Sequence, residues 1–210
     1  GIDMELANDI NDVIRVNTPG KFSSYNASCA ISVCHLLGID VEDMKKALVD
    51  FSVKGRVEPV SVLDGVTFII DYAHNGVAME SILTTMREYN PKRLITIFGC
   101  GGNRSKERRY EMGEVSGRLA DFSIVTSDNP RFEEPEAIIN DILSTLTKTG
   151  GKYITIVDRK EAIKYALDNA QTGDIILLLG KGHEDYQEIE GVKHHFDDKE
   201  VVLEILKEKK

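Results

Sequence analysis

FSIVTSDNPRFEEPEAIINDILSTLTK, Phe122 to Lys148, passes from a short apolar run through a polar loop into a helical pattern. FSIVT has the β-branched, aromatic character of a strand, and EPEAIINDILSTLTK carries apolar residues at helical spacing. The loop between them is SDNPRFEEP, Ser127 to Pro135. Turn chemistry explains most of it: Asp128 and Asn129 hydrogen-bond their own backbone, and Pro130 fixes φ. Arg131 is left over. A strand-to-helix loop of a parallel sheet lies outside the carboxyl end of a strand, where such sheets bind ligands.

The same unit recurs on both sides. PVSVLDGVTFIIDYA carries a DG turn between two β-branched runs and predicts a hairpin. GVAMESILTTMREY, SKERRYEMGEVSGRLA and RKEAIKYALDNA predict helices, while RLITIFG, YITIVD and DIILLLG predict strands. Continuous apolar strands separated by helices indicate a Rossmann-like, mostly parallel α/β sheet with helices on both faces. YQEIEGVKHHF predicts a late hairpin in which His194 and His195 face opposite ways. DDKEVVLEILKEKK predicts a closing helix with Asp197 or Asp198 as N-cap. SSYNASCAISVCHLLG, with His35 on a helix face, and DVEDMKKALVDF, capped by Asp40, predict two helices outside this pattern. With Gly55 at the change, residues 1–54 read as the end of a preceding domain and residues 55–210 as the α/β domain.

The chain has 210 residues, enough to bury a real core, and a formal net charge of −9, which argues against nonspecific nucleic-acid binding. No apolar stretch is long enough to cross a membrane and the first residues lack a signal-peptide pattern, so no membrane partner and a cytoplasmic location are expected. Cys29, Cys34 and Cys100 form no CxxC pair and the histidines no zinc motif; reduced structural thiols and no metal site are expected.

FGCGGNRSKERR ends a strand with glycines and opens a helix, a geometry that receives anions, but Arg104 stands where a dinucleotide fingerprint needs its third glycine. On the glycines alone, tight packing and anion binding are equally open; Arg104 tilts the balance toward an anion. LLLGKGHEDYQ fails as a P-loop at both ends, with Ile175 in place of the first glycine and Gly182 after the lysine. It presents Gly180, Lys181, His183, Glu184 and Asp185 at a strand end. IIDYAHN presents Asp71, His74 and Asn75, for which capping and turn roles are the simpler account. Taken together, four strand ends bring polar groups to one edge of one sheet. That predicts a small-molecule site with carboxylate or phosphate partners for Arg104 and Arg131.

GRVE, DYAHN, FGCGGNR, DNPR and GKGHEDYQ, in this order, resemble the C-terminal domain of the Mur ligase family, in the branch that adds a diamino acid. YNASCAISVCHLLG resembles the end of that family's central ATPase domain. The resemblance implies an ATP- and Mg2+-dependent ligase of peptidoglycan synthesis. ATP activates the D-glutamyl carboxylate of UDP-N-acetylmuramoyl-L-Ala-D-Glu as an acyl phosphate, and an amino group of meso-diaminopimelate attacks it. Matching positions imply that Arg104, Asp128, Asn129, Arg131, Gly180 and Glu184 hold the diamino acid. Asn26, Arg56, Asp71, His74 and Asn75 are implied at the ATP site, and no residue of this chain acts as nucleophile. The family's GGDRD pattern has Asn103 and Ser105 in place of its acids here, and Gly76-Val77 follow DYAHN. The family's P-loop, carbamylated lysine, magnesium ligands and UDP-binding domain find no match. The chain is therefore expected to be a C-terminal fragment, inactive alone, needing the N-terminal domains as partners and binding no cofactor by itself. A ligase using L-lysine, a noncatalytic diaminopimelate-binding module and other amide ligases sharing DYAHN, such as folylpolyglutamate or cyanophycin synthetases, are the alternative readings.

Overall fold

The computed structural model describes residues 1–6 and 10–208. The chain divides into two compact units, Gly1–Val53 and Lys54–Lys210. In the first, β1 (Ile2–Leu6) and β2 (Asp12–Val16) pair antiparallel and are followed by α1 (Lys21–Leu36) and α2 (Val41–Val49). Ile14 and Val16 pack with Ala27, Ile31 and Met44, and Met4 and Leu6 close over them. The two helices are those expected, and the Asp40 side chain accepts the Glu42 N–H at the start of α2. The β1–β2 hairpin is an addition to the sequence reading.

The second unit runs β3 (Glu58–Val60), β4 (Thr67–Asp71), α3 (Gly76–Arg87), β5 (Arg93–Phe98), α4 (Glu107–Leu119), β6 (Phe122–Val125) and α5 (Pro135–Leu146). It continues with β7 (Tyr153–Thr155), α6 (Arg159–Asp168), β8 (Asp174–Leu179), β9 (Tyr186–Ile189), β10 (Val192–His195) and α7 (Asp198–Glu208). Six strands form one sheet in the order β3-β4-β8-β5-β6-β7, parallel except for β3, which pairs antiparallel with β4 through the expected hairpin. The late strand β8 lies between β4 and β5 and is buried along its whole length, which accounts for the unbroken run DIILLL.

One face of the sheet, with Phe68, Ile70, Ile97, Ile176 and Leu178, packs against Ala162 and Ile163 of α6 and Val202 and Ile205 of α7. On the opposite face a buried hydroxyl chain links β5, α4 and β6: Thr96 Oγ1 to Ser116 Oγ at 2.7 Å, and Ser116 Oγ to Ser123 Oγ at 2.7 Å. Mutual bonding lets these polar groups sit in a core.

Asp197 is the N-cap of α7, its Oδ1 accepting the Lys199 N–H at 2.8 Å. Asp198 instead pairs with Arg159 inside the core. β9 and β10 form the expected late hairpin, with His195 on Glu200. The cysteines are free, but they do not form one class. Cys100 is buried, and burial pushes its thiol up to about 12. Cys29 is exposed on α1 and Cys34 half-buried, so a structural role in packing fits Cys100 and not Cys29.

Candidate functional site

Because β4, β8, β5 and β6 are parallel neighbours, their carboxyl ends emerge along one edge. DYAHN, GKGHED, FGCGGNR and SDNPR follow those four strands. Tyr72, Arg104, Asn129, Arg131, Glu184 and Tyr186 all line one cleft of about 470 Å³ there.

The glycines of the β5 loop are explained by close approach. A Cβ on Gly102 would lie 1.9 Å from Pro130 O, so no side chain is tolerated where the two loops touch. Gly102 N–H donates to Asn129 O at 2.8 Å, and Arg131 Nη1 donates to Gly102 O at 3.0 Å. Asn103 has φ +53, a conformation asparagine tolerates, and its Oδ1 accepts the Phe132 N–H at 3.2 Å. Beneath the loop, the buried Arg109 guanidinium bridges Glu133 and Asp141 at 2.8 Å each.

The Arg109 guanidinium, aided by the Asn103 N–H, holds the Glu133 carboxyl down at about 2 from an ordinary 4.5. A depressed acid contributes stability that is fully present above its unfolded value and is lost as the pH falls through its folded value. Glu133→Gln is therefore expected to be less stable than the unmutated chain above pH 4.5, with the gap closing as the pH falls toward about 2. Denaturant melts of both chains across that range measure it; a gap independent of pH would contradict the assignment.

Among the described residues, Arg104 and Arg108 line the cleft exposed, with neither hydrogen bond nor ion pair. Arg131, at φ +54, is more constrained. Its Nε donates to Glu188 Oε2 at 3.1 Å, its N–H to Glu188 O at 3.0 Å, and its own carbonyl accepts the Glu190 N–H at 2.7 Å. The strand β9 thus clamps the DNPR loop. Arg104 and Arg131 flank Gly101, whose added Cβ would meet Arg131 Nη1 at 2.8 Å and Arg104 Cγ at 3.7 Å.

Asp128 is buried, its Oδ1 accepting the Asn129 N–H at 2.7 Å. Asn129 donates from Nδ2 to Glu184 Oε2 at 2.8 Å and accepts the Glu188 N–H on Oδ1 at 2.9 Å. Gly180 has φ +108, and a Cβ there would lie 2.6 Å from Asp128 Oδ2. The cleft thus offers cationic guanidinium groups on one side and the Glu184 carboxylate on another, a distribution suited to a ligand with both carboxylate and ammonium groups.

The residues expected at a nucleotide are placed less uniformly. Asp71 spends both carboxylate oxygens on backbone, accepting Val57 N–H and Ala73 N–H at 2.8 Å each, and burial pushes its carboxyl up. Asn75 caps α3, accepting the Ala78 N–H at 2.9 Å. Arg56 is exposed and stacks 4.6 Å from the centroid of the Tyr72 ring, with exposed His74 4.6 Å from the same ring. Asn26 lies exposed on α1 in the first unit.

Tyr72, Arg108, Tyr186 and Glu188 were not singled out in the sequence. Tyr72 joins both groups, its ring under Arg56 and its hydroxyl 3.5 Å from Glu184 Oε1. DYAHN and GKGHEDYQ contain both tyrosines, so strand-end position was the available signal. Glu188 gave none, because its partner is 57 positions away.

Residues 55–182, more than half of the chain, match the family described as Mur ligase, glutamate ligase domain. The chain belongs to the Mur ligase family. It is 48% identical over 200 residues to the UDP-N-acetylmuramoyl-L-alanyl-D-glutamate--2,6-diaminopimelate ligase of Caldanaerobacter subterraneus subsp. tengcongensis, covering 95% of this chain and 42% of that protein. The protein of the same name from Clostridioides difficile is 45% identical over 196 residues, covering 93% and 40%. A solved structure of a ligase of that name superposes with a TM-score of 0.72 at 34% identity, over 94% of this chain and 41% of that one. The UDP-N-acetylmuramate-alanine ligase MurC of Thermotoga maritima, at 19% identity, has a TM-score of 0.70 over 94% and 40%, a likeness of fold. This Mur ligase chain spans about two fifths of the length of the curated relatives it matches, as their C-terminal part. Among its described residues no helix is long and apolar enough to cross a membrane.

Proposed function

We propose that this chain is the amino-acid-binding part of a cytoplasmic, ATP-dependent ligase that joins meso-diaminopimelate to UDP-N-acetylmuramoyl-L-Ala-D-Glu in peptidoglycan synthesis. The observation that carries this reading is the cleft itself: Arg104, Arg108 and Arg131 around one pocket with the Glu184 carboxylate. A diamino acid with two amino-acid ends has two carboxylates for guanidinium groups and ammonium groups for a carboxylate. L-lysine lacks the second carboxylate and would leave one guanidinium without its partner. The names of the similar proteins agree with this choice.

ATP, when bound to the complete ligase with Mg2+, supplies the phosphoryl group that activates the acceptor carboxylate. Arg56 and His74 fit a nucleotide best, since both are exposed beside Tyr72; the His74 ring keeps Nε2 for a ligand while Nδ1 bonds the Tyr72 carbonyl at 2.8 Å. Asp71 and Asn75 are proposed to act there mainly by shaping the β4 end, because their side-chain oxygens are already bonded to backbone. Asn26, exposed on α1 of the first unit, is proposed as an ATP-binding residue on the family resemblance alone. The remaining work of this chain is to orient: the arginines fix the carboxylates, Glu184, held by Asn129, fixes an ammonium end, and the reacting amine is held toward the activated acid.

The test is reconstitution with the longer protein that contains this chain. It is expected to form the amide from ATP, the UDP-linked dipeptide and meso-diaminopimelate, while the 210-residue chain alone turns over no ATP. No product from the longer protein, equal use of L-lysine, or dipeptide-dependent ATP turnover by the chain alone would each overturn the reading.

A further inference from the structure

Lys181 is completely buried at the end of β8, an unusual place for an ammonium group, and the binding scheme above makes no use of it. Its Nζ donates to Tyr186 O and lies 3.5 Å from both Asn129 Oδ1 and Glu184 Oε2, with the Tyr186 ring centroid at 5.5 Å. One buried ammonium therefore reaches the GKGHED loop, the DNPR loop and β9. We propose that Lys181 is a positioning residue of the amino-acid pocket, fixing the sense of the Asn129 amide and through it the orientation of the Glu184 carboxylate.

The geometry permits one amide orientation. Asn129 Oδ1 faces two donors, the Glu188 N–H at 2.9 Å and the Lys181 ammonium at 3.5 Å. A flipped amide would turn its NH2 group against both of them, and its oxygen against the Glu184 carboxylate. With the oxygen held, Nδ2 must donate to Glu184 Oε2, as it does at 2.8 Å. Glu184 is then held on one oxygen, and its Oε1, with only the Tyr72 hydroxyl at 3.5 Å among the described residues, is the one turned to a ligand ammonium. The effect on ligand rests on the reading of the cleft given above; the amide orientation does not.

The experiment is Lys181→Met in the isotope-labelled chain, read by the Asn129 side-chain NH2 resonances and by calorimetric titration with meso-diaminopimelate. In the unmutated chain one Asn129 amide proton, bonded to Glu184, is expected well downfield of its partner and slow to exchange. In Lys181→Met, with the Glu188 N–H as the remaining donor to Oδ1, that separation narrows measurably and affinity for meso-diaminopimelate falls about tenfold, the worth of roughly one hydrogen bond to a charged group. Should Lys181→Met fail to fold, Lys181→Gln, which removes the charge and leaves Glu184 in place, is read in the same way with the same expected change in the Asn129 pair. A melting temperature lowered with the Asn129 signals and affinity unchanged would make Lys181 merely structural and overturn the proposal, as would an unmutated chain with no distinct Asn129 pair. A narrowed Asn129 pair in a chain that binds no diaminopimelate would uphold the role of Lys181 and overturn the ligand reading instead.

Discussion

Asp198→Ala is expected to destabilise the second unit by about 3–5 kcal/mol, because it leaves a buried guanidinium without its counter-charge. Arg159 and Asp198 have fully buried side chains and meet through two bonds, Nε to Oδ1 and Nη2 to Oδ2, both 2.8 Å. Arg159 Nη2 also donates to Leu179 O at 3.0 Å, and its Nη1 has no partner among the described residues. The pair therefore joins the start of α6, the start of α7 and the end of β8, the strand that carries Gly180 to Glu184. For a unit of this size the loss corresponds to a fall in melting temperature on the order of 10 °C. Replacing both residues together, as Arg159→Met/Asp198→Leu, should restore most of the stability, because the cost lies in an unpaired buried charge. Thermal melts of the single and double variants measure this. A single variant within about 1 kcal/mol of the unmutated chain would place the pair with ordinary surface bridges and contradict the claim.

Arg131→Ala is expected to abolish the preference of the complete ligase for meso-diaminopimelate over L-lysine. Sites built to hydrogen-bond a group reject the analogue lacking it by roughly four orders of magnitude, since buried polar partners are stranded. Lysine differs by the absence of the far carboxylate, and a guanidinium matches that planar group with paired bonds. Glu188 and Gly102 O already take Nε and one Nη1 hydrogen, so Arg131 is presented in a fixed orientation, with Nη2 and the second Nη1 hydrogen left for paired bonds to ligand. Arg104, on the other side of Gly101, is free to share the load, and Arg131→Ala/Arg104→Ala should lose diaminopimelate binding as well as selectivity. Steady-state kcat/KM for both amino acids, before and after substitution, decides the matter. An unchanged ratio in Arg131→Ala would remove Arg131 from the selectivity.

The sheet was legible because each parallel strand is a continuous apolar run and each helix has its own period, so β4 through β8 could be read from local pattern alone. The β1–β2 hairpin was passed over, although Ile2, Met4 and Leu6 alternate with Asp3 and Glu5 in the period of a half-buried strand. Its two strands are short and heavily charged, and their apolar face is explained only by α1 and α2 packing on it. The positions of the strand-end motifs were readable; the pairing of their side chains was not. Nothing local shows that Arg131 would meet Glu188, that Lys181 would be buried under Asn129, or that Arg108 would be left unpaired, because these depend on which loops become neighbours. The opposite lesson comes from Asp71 and Asn75, whose oxygens went to backbone as simple turn and cap chemistry would have them.

The most direct test of the central claim is a titration of the isotope-labelled chain with meso-diaminopimelate, followed by backbone and arginine side-chain NMR signals. Saturable shifts concentrated at Arg104, Asn129, Arg131, Gly180 and Glu184 are expected, with L-lysine producing far smaller changes at the same concentrations. Shifts scattered away from the cleft, or equal responses to the two amino acids, would contradict that claim.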